Sequence, residues 1–146
     1  MSSTFSCLHH HIVFSTKNRE PWLREEVQER LFHYLGGTVN GLGGQSVVVG
    51  GFYDHVHLLV RMRPVDAPAA FVRELKKASS LWMKPHEPAF SWQEGYAIFS
   101  TSVSHLDVVE LYIRSQHEHH RVRSFAEELE ALLQRHGIVY DPAYLV

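Results

Sequence analysis

The chain has 146 residues and a mass of 16.8 kDa with 45% hydrophobic residues, material for one compact core and too little for two. Its 14 Lys and Arg stand against 16 Asp and Glu, so bulk charge does not mark a nucleic-acid binder. The lone Cys7 excludes an internal disulfide and a Cys-rich zinc site, and neither an apolar run of about 18 residues nor a leader-like start is present, so we expect a cytoplasmic single domain over 1–146 with no membrane association.

Histidine is over-used. Protonating all twelve would carry the net charge from −2 to +10, so the electrostatics of the chain can change sign just below neutrality.

Residues 7–15 read as a strand with Leu8, His10, Ile12 and Phe14 on one face. Pro21 marks a possible helix start, and Val27, Leu31, Leu35 and Val39 recur at amphipathic-helix spacing until Gly41, Gly43 and Gly44 end the helix. Residues 45–52 and 55–62 predict a hairpin turning at Tyr53 and Asp54. A second helix is predicted over 68–84, a fourth strand over 95–103 and a third helix over 105–120. Ser104 with Asp107, and Ser124 with Glu127, have capping-box spacing, and a last helix ends near Gly137. The order strand, helix, strand, strand, helix, strand predicts an α+β, ferredoxin-like antiparallel sheet with helices on one face and an added C-terminal helix bearing Tyr112.

Three features could carry chemistry. Alternation on the third strand puts His55, His57 and Arg61 on one face and Val56, Leu58, Val60 and Met62 on the other, so two imidazoles could reach one divalent ion. Ordinary hydrogen-bonded histidines would show the same pattern. In the third helix, Tyr112 and Gln116 share a side at i, i+4, with His105 and His119 close to the same line and Leu106, Val109 and Ile113 as the adjoining apolar stripe. Spacing alone favours Tyr112 as a core-edge aromatic with its hydroxyl hydrogen-bonded to solvent. On the second helix, Arg73, Lys76, Lys77, Ser80 and Lys84 fall in one arc, and residues 61–84 carry six Lys or Arg against two acids. That arc could follow a phosphate backbone or be a solvated face. The acidic excess lies in 124–146, so a basic middle is hidden by the net figure.

Taken together these segments resemble a known family. His10 to Pro21, Asp54-His-Val-His-Leu-Leu59, Leu75 to Lys84, Trp92-Gln-Glu-Gly-Tyr96, Tyr112-Ile-Arg-Ser-Gln116, Glu118-His-His120, Arg123-Ser-Phe125 and Arg135-His-Gly-Ile138 are similar, in order, to the single-tyrosine HUH transposases of the IS200/IS605 type. HUH denotes His, a hydrophobic residue, His. The resemblance implies that His55, His57 and Gln116 hold Mg²⁺ or Mn²⁺ and that Tyr112 is the nucleophile. It implies cleavage and rejoining of single-stranded DNA beside hairpins through a 5′-phosphotyrosine, in homodimers whose active sites are composite. Arg73, Lys76, Lys77 and Lys84 are then the candidate DNA-backbone contacts. One departure is Ala97-Ile98-Phe99, where the family usually has Gly-Ala-Phe. The competing reading is a domesticated, noncatalytic binder of structured single strands on the same fold.

Overall fold

A computed structural model describes residues 3–145. Strand β1 (Leu8–Ser15) is followed by helix α1 (Glu25–Gly41), the hairpin β2 (Gln45–Phe52) and β3 (His55–Met62), helix α2 (Pro68–Met83) and strand β4 (Ala97–Thr101). The strands form one antiparallel sheet in the order β2-β3-β1-β4, so β1 and β3 are its inner strands. This is the ferredoxin-like arrangement that the element order predicts. Register sets Ser15 of β1 against His55 of β3 and Val13 against His57, while His11 lies opposite Phe99 of β4.

The period of two decides what each face meets. Ile12 and Phe14 of β1, with Val56, Leu58, Val60 and Met62 of β3, face α1 and α2 and form the main core with Leu31, Leu35, Phe71 and Leu75. The alternate residues face three further helices, α3 (Leu106–Arg114), α4 (Gln116–His119) and α5 (Phe125–Arg135). Val48 and Leu59 meet Ile113 of α3, and Val13 and Phe99 meet Phe125 and Leu132 of α5. Both faces are therefore covered, which is why the inner strands are almost wholly buried.

Several boundaries differ from the sequence expectation. Helix α1 begins at Glu25 and not at Pro21, because Leu23 is fully buried and its N–H donates to the carbonyl of Tyr53 at 3.0 Å, anchoring the approach to the β2–β3 turn. Strand β4 starts only at Ala97, since the carbonyls of Gln93, Glu94 and Gly95 accept from Lys76 Nζ at 2.6, 3.0 and 2.7 Å. The helix predicted over 105–120 is interrupted at Ser115 (φ −98°, ψ 21°), which separates α3 from α4. Ser104 and Asp107 form no capping box: Ser104 sits inside a 3₁₀ turn, Val103–His105, capped by Ser102. The Ser124–Glu127 box forms in both directions at the start of α5. Among the described residues, no helix is long and apolar enough to cross a membrane.

Candidate active site

His55 and His57 leave β3 on the face away from α1 and α2, and both are fully buried beneath α3, α4 and α5. Burial on this scale is costly for imidazoles unless every nitrogen is matched. His55 Nδ1 lies 2.7 Å from Asp54 Oδ1, and its Nε2 is 2.9 Å from Gln116 Oε1 and 3.3 Å from Glu128 Oε1. His57 Nδ1 lies 2.7 Å from His11 Nε2, and its Nε2 is 3.1 Å from Glu128 Oε1. Each histidine thus has one nitrogen held from behind and the other aimed at a common point.

Glu128 organises that point. Its side chain is fully buried, and its two oxygens face different partners. Oε1 faces His55, His57 and His120, the last at 3.2 Å. Oε2 accepts from Gln116 Nε2 at 2.9 Å and from the hydroxyl of Tyr112. Although burial pushes its carboxyl up, hydrogen bonds from His120, His55 and His57 hold it far below the usual carboxylate range. Burial would depress His55, yet hydrogen bonds to Asp54 and Glu128 raise it to about 9. For His57, burial outweighs Glu128 and lowers the pKa to about 4. Burial also keeps His11 well below its ordinary value, so it meets His57 Nδ1 as a neutral ring. Tyr112 is raised above the ordinary phenol range, first by burial and then by the charge of Glu128.

His55, His57 and Glu128 offer ligand atoms that all lie within 4.8 Å of one another. Two imidazoles and a carboxylate suit a divalent ion that accepts mixed nitrogen and oxygen donors, and Asp54 and His11 supply the outer hydrogen bonds that fix the rings. The donor set fits the metal that the resemblance implies. Four residues singled out in the sequence, His55, His57, Tyr112 and Gln116, are here brought together by β3, α3 and α4.

A sequence model of the family described as Transposase IS200 like matches residues 4–116. The chain belongs to the IS200-like transposase family. It is 29% identical over 119 residues to the ISDra2 transposase TnpA of Deinococcus radiodurans, spanning 76% of this chain and 85% of that protein. A solved structure described as a transposase of Deinococcus radiodurans R1 superposes with a TM-score of 0.65 at 26% identity, over 80% of this chain and 95% of that one. A REP-associated tyrosine transposase bound to a REP hairpin shares the fold at 15% identity, with a TM-score of 0.59 over 82% of this chain and 74% of that one. As an IS200-like transposase, the protein is a metal-dependent tyrosine endonuclease of the HUH type that acts on single-stranded DNA.

The site contains a residue that the sequence analysis did not single out. Glu128 falls three residues after Phe125 and four before Leu132, on the apolar stripe of α5 and beyond the segment matched by the family. A carboxylate at a buried helical position is the signal that could have found it, because such a group persists only when partnered. Asp54, His11 and His120 join it as partners that became visible only in three dimensions. The basic arc on α2 is placed elsewhere. Arg73, Lys76, Lys77 and Lys84 lie across the sheet from the histidines, with Lys76 committed to three carbonyls and Lys84 Nζ 2.5 Å from the carbonyl of Phe90. Arg73 and Lys77 remain the exposed cations of that helix.

Proposed function

We propose that this transposase cleaves and rejoins single-stranded DNA beside hairpins at element ends through a 5′-phosphotyrosine on Tyr112. The observation that carries the reading is the bond from the Tyr112 hydroxyl to Glu128, the same carboxylate whose other oxygen faces His55 and His57. His55, His57 and Glu128, with the amide oxygen of Gln116, would hold Mg²⁺ or Mn²⁺. A bound divalent ion supplies Lewis-acid polarisation of the scissile phosphate and charge compensation at the leaving oxygen.

The chain's own residues account for the rest. Tyr112 Oη attacks phosphorus, forming the O–P bond as the bond to the 3′ oxygen breaks on the opposite side. The departing 3′ oxygen takes a proton from solvent, and the phenolic proton, hydrogen-bonded to Glu128 Oε2 in the resting site, is released to solvent as the O–P bond forms. Gln116 Nε2 donates to Glu128 Oε2 and holds it towards the phenol. Rejoining is the reverse with another 3′ hydroxyl, so no external energy source is needed.

The hairpin is supported by the REP hairpin bound to the fold relative described above. On α2, backbone contacts are assigned to Arg73 and Lys77, with Lys76 and Lys84 holding the adjoining loop. Tyr112 stands beside the histidine pair of its own chain in this structure. In the composite homodimer implied by the family resemblance, a partner's tyrosine helix would have to take the place of this one.

The test is to incubate the purified protein with each single strand of the DNA flanking its gene and with Mg²⁺ or Mn²⁺, and to look for an adduct stable in SDS. We expect one that requires metal and is lost in Tyr112→Phe. Hairpin binding without any adduct would support the noncatalytic binder instead.

A further inference from the structure

A cavity of about 290 Å³ opens between α3 and α5 directly beside the nucleophile, and the chemistry described so far does not use it. One wall is the ring of Tyr112 and another is a stacked pair, Phe99 and His136, with ring centroids 4.3 Å apart and planes at 21°. Arg135 and His105 line its mouth, and Ser102 adds a hydroxyl. Among the described residues, no carboxylate lines it. His136 is fixed in this role because its Nδ1 donates to the carbonyl of Leu132 at 2.8 Å, and Gly137 at φ +66° ends α5 immediately afterwards. Arg135, His136 and Gly137 form a segment that the sequence marked as similar to the family but to which no role in cleavage has so far been assigned.

The composition of this cavity fits one nucleotide of a single strand: the exposed His136 ring, backed by Phe99, for a base, and the Arg135 guanidinium with a hydroxyl for the following phosphate and sugar. Its position says which nucleotide. In an in-line displacement the attacking and leaving oxygens lie on opposite sides of phosphorus. The cavity is lined by Tyr112 and His11 but not by His55, His57, Gln116 or Glu128, so it opens beside the phenol and away from the proposed metal ligands. The leaving 3′ oxygen is on the far side of phosphorus from the phenol, whereas the retained nucleotide is joined through an equatorial oxygen and can turn into a cavity beside the phenol.

We propose that this cavity seats the deoxynucleotide whose 5′ phosphate becomes joined to Tyr112, its base on His136 and its next phosphate at Arg135. The seat would hold the covalent intermediate in place while the 3′ end is exchanged. The inference rests on the catalytic reading given above, and its test needs no turnover.

Isotope-labelled protein in Mg²⁺ buffer is titrated with trinucleotides of thymidine and of deoxyadenosine, each carrying a phosphate at either its 5′ or its 3′ end, while the Tyr112, His105 and His136 ring signals are followed by NMR. The 5′-phosphorylated trinucleotides should bind at least about tenfold more tightly and shift all three rings. Arg135→Ala should weaken them about tenfold, and this exposed position at a helix end leaves the melting temperature unchanged. Equal or tighter binding of the 3′-phosphorylated forms, or saturation without movement of His136, would overturn the assignment. The adduct assay decides the catalytic reading separately: ring shifts without an adduct leave the seat standing and remove the chemistry, whereas an adduct without ring shifts does the reverse.

Discussion

At the residue scale, the site is a set of opposed burial and hydrogen-bonding effects, and these have a sign. His55 is raised to about 9 in the folded chain from an ordinary 6.5, so the stability it contributes is complete below pH 6.5 and is lost as pH rises through 9. His57 is lowered to about 4, so its contribution is present above pH 6.5 and is lost as pH falls through 4. Each shift is worth on the order of 3 kcal/mol. The melting temperature of the EDTA-treated protein should therefore peak near pH 6.5 and fall on both sides, which thermal melts from pH 4 to 9 will show. A melting temperature that rises steadily from pH 6.5 to 9 would contradict the imidazolium at His55. Added divalent metal should flatten the alkaline side, because metal binding needs the deprotonated ring.

At the scale of elements, Tyr112 is placed by how closely α3 can approach β2. Gly50 makes that approach possible: a Cβ there would lie 2.6 Å from the carbonyl oxygen of Ile113 and 2.9 Å from its Cγ2. Ile113 follows Tyr112 directly, so pushing it off the sheet moves the nucleophile away from Glu128. Gly50→Ala should destabilise the fold by about 1–3 kcal/mol. It should also slow adduct formation about 100-fold in single-turnover experiments, since a displacement near 1 Å is enough. Metal affinity measured by calorimetry should fall much less, as His55 and His57 stay on β3 and Glu128 on α5 while only Gln116 moves with α3. An adduct rate equal to wild type would show that α3 is positioned by something other than this contact.

Across the whole molecule, the sheet separates two surfaces. The histidines, Tyr112 and Glu128 lie on one face, and α2 with Arg73 and Lys77 lies on the other. DNA that touches both must pass around a sheet edge, which suits a substrate with a folded portion and a flexible single strand. In this structure Tyr112 and the histidine pair that stand together belong to one chain. Mixing Tyr112→Phe with His57→Ala should then give no adduct, because neither chain carries a whole site. An adduct appearing on the His57→Ala chain would mean that tyrosine helices are exchanged between copies, as composite sites require.

How much of this was legible before folding follows from the range of the interactions involved. The period of two in β3 assigned His55 and His57 to one face and Val56, Leu58 and Val60 to the other, and the i, i+4 spacing aligned Tyr112 with Gln116; both are consequences of local backbone geometry. The element order likewise carried the ferredoxin-like sheet, since short connections leave few ways to pair four such strands. The placement of Glu128 was decided by tertiary structure alone. It stands 71 residues from His57, on a helix whose docking against β1 and β4 depends on Phe125, Leu132 and Leu133 meeting Val13 and Phe99. The basic arc shows the same limit from the other side. Spacing placed Lys76 and Lys84 on a face with Arg73 and Lys77, but only the folded chain brings the carbonyls of residues 90 and 93–95 to those two ammonium groups. Local periodicity tells which way a side chain points; what it meets there is settled by the packing of segments distant in sequence.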